Sequence, residues 1–253
     1  NATQINGKLK RFNSTNSAAG INSSFDDYSP VLSQNDSTLF FTSRRKESSG
    51  GKIDEDDDKY FEDIYSASLE KDTWTAASNI GKPINTKRHE ASNFISLDGK
   101  VMYIYKGVKR GSIYKTEKNG KLWEKPKRIS TSLNSRTWET SSIVVANNTL
   151  YIVSDRKGGI GGRDIYKCAQ KQDGSWGEPE NMGDIINTPY DEDAPFFTAD
   201  GKTLFFASTG HNSIGGFDIF KSVLGDDGKW STPENLGPTI NTPAHDIYFV
   251  LDS

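Results

Sequence analysis

A single cysteine, Cys168, occurs in the whole chain, which excludes an intrachain disulfide and leaves the redox compartment open. It lies in the strand-like run "DIYKCAQ", where a packed thiol is expected rather than a reactive one. Histidine is nearly as scarce: there are 3, and none stands in an H-E-x-x-H or similar arrangement. The G-x-S-x-G elbow of serine hydrolases is absent as well. No run approaches the roughly 18 apolar residues of a membrane helix, so direct membrane insertion is not expected. No basic-then-apolar leader opens the chain, and it starts at Asn1, so it reads as a soluble, mature or excised segment. Charge of neither sign prevails: 31 basic residues stand against 34 acidic ones, a net charge of −3, which supplies no cationic field to gather nucleic acid.

What the chain has instead is aromatic residues, 11% of the total, 23 glycines, and short apolar runs separated by Asn, Ser, Thr and Asp. That mixture suits many short strands joined by tight turns, an all-β fold. A repeat confirms the pattern. Trp74, Trp123, Trp176 and Trp230 follow one another at 49, 53 and 54 residues, and each stands 11 residues before an asparagine: Asn85, Asn134, Asn187 and Asn241. Upstream of each tryptophan lies a strand-like piece, "EDIYSASL", "GSIYKTEK", "RDIYKCAQ" or "FDIFKSVL". Before that come two apolar runs around an Asp-Gly, Asn-Asp or Asn-Asn turn, a hairpin signal. Four antiparallel strands per repeat of about fifty residues describe a β-propeller blade.

The repeats run over 21–86, 87–135, 136–188 and 189–242, within a single domain spanning 1–253. A closing blade is expected from 1–20 and 243–253, because "TQINGKLKRF" resembles "TEKNGKLWEK" and "PAHDIYFVLDS" begins another unit. Such closure leaves no open sheet edge, giving five blades, with six as the alternative if the parent chain continues. The first repeat carries an insertion, "RRKESSGGKIDEDDDKYFED" (44–63), read as a mobile, solvated acidic loop.

These motifs, Ser154-Asp155-Arg156, Gly162-Arg163-Asp164-Ile165-Tyr166 and Asp200-Gly201 among them, resemble the WD-like propeller repeat of the TolB type. The "W..P.NLG..INT" segments resemble the propellers of OmpA-like envelope proteins of Gram-negative bacteria, one of them a component of the type nine secretion system. The resemblance implies a periplasmic, outer-membrane-associated and non-catalytic interaction module. Its partners would be other envelope proteins, with peptidoglycan reached through a neighbouring domain. The second repeat departs from the pattern, having Ser112 where the others have Asp63, Asp164 and Asp218, and lacking the paired glycines.

Candidate sites are few. "GGIGG" (158–162) suggests a phosphate loop, but Asp164 takes the place of the third glycine, and a strand follows where a helix is required. The glycines are therefore expected to serve a turn with positive φ. The repeated "DIY" aspartate is expected to bond its own loop's amides. Just before each first strand stands a carboxylate: Asp27, Glu90, Glu139, Glu192 and Asp246, flanked in two cases by His89 and His245. First strands line the channel of a propeller, so this column is expected to form an acidic ring. Its ordinary role would be to cap backbone amides, its alternative to bind a divalent cation such as calcium or a basic partner group. Asp54, Asp56, Asp57 and Asp58 mark a partner-docking loop; a calcium loop fails there on Lys59 and Tyr65. The alternatives to a scaffold are a glycan hydrolase or lyase using Glu139 and Glu192, and a carbohydrate- or cation-binding propeller. No cofactor is expected.

Overall fold

The computed structural model describes residues 20–251 except 34–36, 72, 97, 108–110, 130–132, 135–138 and 147–148, and for 139–146 it describes the backbone. No helix occurs among the described residues. Each repeat folds as its own antiparallel sheet, the all-β propeller-blade architecture expected from the periodicity. The sheets fall in two compact units, one running to Ile129 and the other starting at Ser130.

In the first unit, the first sheet comprises β1 (Asp27–Leu32), β2 (Thr38–Ser43), β5 (Asp63–Glu70), β6 (Thr73–Trp74) and β7 (Ser78–Asn79). The second comprises β8 (His89–Ile95), β9 (Val101–Gly107), β10 (Ser112–Asn119), β11 (Leu122–Trp123) and β12 (Lys127–Arg128). In the second unit, the sheets are β13 (Glu139–Ala146), β14 (Thr149–Ser154), β15 (Asp164–Ala169) and β16 (Glu180–Asn181), then β17 (Glu192–Phe197), β18 (Thr203–Ser208), β19 (Asp218–Val223) and β20 (Glu234–Asn235). Strand alternation sends the "DIY" isoleucines inward, so Ile64, Ile113 and Ile165 are fully buried. In the first unit, Phe40, Ile64, Ile84 and Met102 join one core; in the second, Val153, Ile165, Ile186, Phe206 and Phe220 join another.

The fourth strand departs from expectation. In every repeat it is split, because the outer strand uses five residues where its partner uses four: Trp74 to Ser78 against Leu69 to Ser66, and Trp230 to Glu234 against Leu224 to Lys221. One extra residue makes a bulge, which shortens and twists the exposed edge and blunts it against pairing with another chain.

The first strands are bulged too, with left-handed φ two residues after the carboxylate at Ser29 (53°) and Ala194 (47°). Tyr248 holds the same place after Asp246 and the same φ, 68°. The segment 244–251 therefore reproduces a first strand locally, yet no ladder is formed with it among the described residues. The other part of the expected closing blade, 1–19, lies outside the described residues.

The insertion is the clearest correction. Its acidic turn is exposed as expected, but the segment is a two-stranded hairpin, β3 (Ile53–Asp54) with β4 (Lys59–Tyr60), in place of the expected mobile loop. Charge contacts pin it: Lys59 Nζ lies 2.7 Å from Asp26, Arg44 2.5 Å from Asp57, and His89 Nε2 2.7 Å from Asp54.

Candidate functional site

The asparagine and aspartate columns form the scaffold behind the loops. Asn187 Oδ1 accepts from Ile165 N (2.8 Å), and its Nδ2 donates to Ile165 O (3.0 Å) and to Asn181 Oδ1 (2.8 Å). Asn85 and Asn241 repeat this with Ile64 and Ile219, so each side chain acts as an extra peptide group pairing the "DIY" strand. The "DIY" aspartate binds its own loop: Asp164 accepts from Ile160 N, Gly161 N and Asn181 Nδ2. In the second repeat Ser112 takes that place, and the Tyr105 hydroxyl accepts from Gly111 N at 3.0 Å instead.

The carboxylate column is committed in the same local way. Glu192 is fully buried and accepts from Thr188 N (2.8 Å), Thr188 Oγ1 (2.7 Å) and Ser208 Oγ (2.7 Å). Glu90 accepts from Thr86 N and Oγ1, Asp246 from Thr242 N and Oγ1, and Asp27 from Ser23 N and Oγ. A Ser or Thr four residues earlier is the sequence signal for this cap, and Ser135 stands so before Glu139, whose side chain lies outside the described residues. Two further oxygens meet cations, Lys106 at Glu90 (2.9 Å) and Arg45 at Asp27 (3.3 Å). Burial raises the Glu192 carboxyl above its ordinary range, against the pull of the Thr188 and Ser208 donors. No group of three or more His, Cys, Asp or Glu side chains among the described residues is placed to hold a metal ion.

The flanking histidines tie adjacent sheets together. His245 Nδ1 accepts from Phe217 N (3.1 Å) and Asp191 from Arg163 N (2.9 Å), while His89 Nδ1 accepts from Glu62 N (3.3 Å) only when its ring is neutral. His89 goes further, with Asp54 on Nε2 and Glu62 Oε2 3.1 Å from Nδ1. Glu62 also takes the Tyr28 hydroxyl and Arg44 (3.1 Å), a network that sequence spacing did not reveal. Burial alone would lower the imidazole pKa, but hydrogen bonds to Glu62 and Asp54 outweigh it and hold it above the ordinary 6.5. Its contribution to stability is therefore full below about pH 6.5 and is lost as pH rises through the higher folded value. Asp54 and Glu62 lie below their ordinary 3.8 and 4.5, so their contribution disappears only as pH falls through those lower folded values. His89→Asn should consequently cost about 2 kcal/mol at pH 5.5 and progressively less towards pH 9. Thermal unfolding of both proteins across that range checks it; a pH-independent difference would refute the charged pairing.

Of the four docking-loop aspartates, Asp54 is half-buried against His89, and Asp57 is engaged by Arg44 and by Lys59 N. Asp56 and Asp58 are exposed on the turn. Cys168 is buried and its thiol is pushed up to about 12 by burial, as expected of a packed cysteine. "GGIGG" keeps its architectural role for another reason than the expected one. Gly158 has positive φ, but Gly159, Gly161 and Gly162 do not. A Cβ on Gly161 would lie 2.1 Å from Thr188 O and 2.3 Å from Tyr190 O, so glycine is needed for close approach to the next turn.

That approach builds a rim which the sequence reading missed. Gly162 N donates to Tyr190 O (2.9 Å) and Gly216 N to Ala244 O (3.0 Å), while Thr188 packs where a Gly210 Cβ would go. Along it Ile160, Tyr190 and Ile214 are 39%, 62% and 51% exposed. An isoleucine beside paired glycines, at the same slot in successive repeats, was the available signal.

No protein-family profile matches the sequence, and no curated protein sequence does. Among solved structures, TolB from Acinetobacter baumannii is similar, with TM-score 0.54 and 16% identity over 85% of this chain and 46% of that one. Putative TolB from Agrobacterium tumefaciens gives TM-score 0.52 and 15% identity over 85% of this chain and 67% of the other. A puromycin-hydrolysing peptidase of Mycobacterium tuberculosis also superposes, with TM-score 0.46 and 11% identity over 84% of this chain and 29% of its own. The chain thus spans about half the length of the Acinetobacter protein. Propellers serve unrelated activities, so at these identities the likeness establishes the fold, a β-propeller of which TolB is one neighbour.

Proposed function

We propose that this chain is a non-catalytic protein-interaction scaffold of the bacterial cell envelope, working on the periplasmic side. The observation that carries this reading is the rim of the second unit. Large apolar side chains at Ile160, Tyr190 and Ile214 stand in water on loops held by backbone hydrogen bonds, and exposed apolar side chains on rigid loops suit docking of a partner. The first unit adds Phe25 and Ile53, 41% and 51% exposed, at its pinned hairpin. The carboxylate offered for acid–base work, Glu192, is fully buried and given to Thr188 and Ser208, which favours a scaffold over a hydrolase. The TolB neighbours and the repeat motifs support an envelope location. On those motifs the finer reading is an OmpA-like assembly associated with the outer membrane and with type nine secretion, its peptidoglycan contact made through a neighbouring domain.

The test is affinity capture from a Gram-negative envelope fraction with the chain and with an Ile160→Asp/Tyr190→Asp/Ile214→Asp variant. Wild type should retain a defined envelope protein and the variant should lose at least tenfold, since hot-spot side chains are worth about 1–2 kcal/mol each. Equal melting temperatures would show the variant intact. Retention by both proteins would move the docking surface elsewhere, and turnover of a glycan by the wild-type chain would sink the non-catalytic reading.

A further inference from the structure

Within the first repeat several buried polar atoms have no hydrogen-bond partner among the described residues: Ser43 Oγ, Arg45 Nε, Ser48 Oγ, Asp63 Oδ1 and the Tyr65 hydroxyl. The ladder explains why they meet. Ser43 pairs with Asp63 and Phe41 with Tyr65 across β2 and β5, so Ser43, Asp63 and Tyr65 share one face. The Arg45 guanidinium lies 4.9 Å over the Tyr65 ring, and its NH2 is given to Ile21 O and Asp27. Ser49 N reaches Asp63 Oδ2 at 2.5 Å, which seats the neighbouring Ser48, 5% exposed, against the sheet. Asn79 gives one of its two Nδ2 hydrogens to Asp63 Oδ2 and stands beside the Tyr65 hydroxyl.

The same slot in the third repeat is closed by the protein except at one atom. Ser154 Oγ accepts from Arg156 N and Nε, Asp164 takes two loop amides, and of the slot's atoms the Tyr166 hydroxyl alone is left over among the described residues. In the last repeat Ser208 serves Glu192 and Gly210 and Phe220 replaces the tyrosine, so Asp218 Oδ1 is the one slot atom left over among the described residues, against five in the first repeat. The first repeat differs because its loop carries the insertion, and Arg45 is drawn away to Ile21 and Asp27.

Buried polar groups in native proteins are satisfied, by protein or by ordered water. We propose that this slot is an internal hydration site, in which water joins Arg45 Nε and Asp63 Oδ1 through the Ser43, Ser48 and Tyr65 hydroxyls and seals the insertion-bearing loop onto the first sheet. The donor set selects water over an ion. A guest must accept from Nε and donate to Oδ1, which water does. A metal cation would face the guanidinium, and an anion the carboxylate.

A crystal structure at atomic resolution should show a density peak about 2.6–3.2 Å from at least three of these atoms. Direct pairing of the side chains with no peak overturns the proposal, as does an anomalous signal at that peak after exchange into thallium or rubidium. In solution, water relaxation dispersion should detect a long-lived water that Ser43→Ala/Tyr65→Phe releases, while Tyr166→Phe leaves it in place. Amide exchange at residues 45–51 should then quicken about tenfold, the effect of one net hydrogen bond. An unchanged water lifetime in the double variant overturns the site.

Discussion

Asn187→Ala is expected to destabilise the second unit by about 2–4 kcal/mol, lowering its melting temperature by roughly 10 °C. The side chain is 1% exposed and completes three hydrogen bonds, two of them to the backbone of Ile165, a residue with no exposed surface. Alanine would strand the Ile165 N–H in a place water does not reach, while Ile165 O keeps Met182 N (3.1 Å) and Asn181 Oδ1 keeps Gly183 N (2.8 Å). Each stranded buried group costs about 1–3 kcal/mol, whereas the bonds themselves are worth less, so the penalty comes mainly from desolvation. The residue after strand β16, Met182, already donates to Ile165 O, and the Ile165 N–H is left to the asparagine. Asn187→Asp provides the internal comparison. It keeps an acceptor for Ile165 N but loses both donated bonds and sets a charge against Asn181 Oδ1, so it should be as damaging at neutral pH and milder in acid. Urea unfolding followed by far-ultraviolet circular dichroism measures both. A cost under about 1 kcal/mol for Asn187→Ala would mean that the asparagine column is incidental to the fold.

That column was visible in the sequence as a spacing, but its chemistry was not. Trp176 and Asn187 mark the repeat because every blade needs the same interior, and a period near fifty survives inspection of one chain. The bonding partner of Asn187 lies 22 residues upstream, and nothing local in "DIINT" names Ile165. The caps of Glu90, Glu192 and Asp246 were legible in kind, since the Ser/Thr partner sits four residues away. The hairpin at Ile53–Asp54 and Lys59–Tyr60 was not, because two-residue strands leave no alternation to read. Its anchors, Asp26, Arg44 and His89, are 13 to 35 residues from the groups they hold, and a run of acidic residues reads alone as solvated. The exposed rim was hidden for a related reason: Ile160 and Ile214 look like strand residues until the glycines beside them are seen to be pressed against the next turn.

The glycines supply the second large effect. Gly161→Ala should cost about 3 kcal/mol, at the upper end for overpacking, because the contacts that must yield are main-chain carbonyls and not flexible side-chain ends. A Cβ there meets Thr188 O at 2.1 Å and Tyr190 O at 2.3 Å. Ordinary contact is therefore reached only if the 188–190 turn retreats by about 1 Å or more. Retreat would stretch the Gly162 N to Tyr190 O bond of 2.9 Å and displace Tyr190 on the rim. Gly215→Ala should act likewise, through Pro243 at 2.5 Å. Gly174→Ala separates this from backbone strain: its φ is +79° with nothing within 4 Å, so it should lose only the conformational term, about 1 kcal/mol. Calorimetry ranks the three variants, and the affinity capture described for the rim adds a functional reading. If the rim docks a partner, Gly161→Ala should weaken capture at temperatures where the chain remains folded, and Gly174→Ala should not. Equal stability losses for Gly161→Ala and Gly174→Ala would mean that the paired glycines serve turn conformation alone, and that the rim is not held in place by close packing.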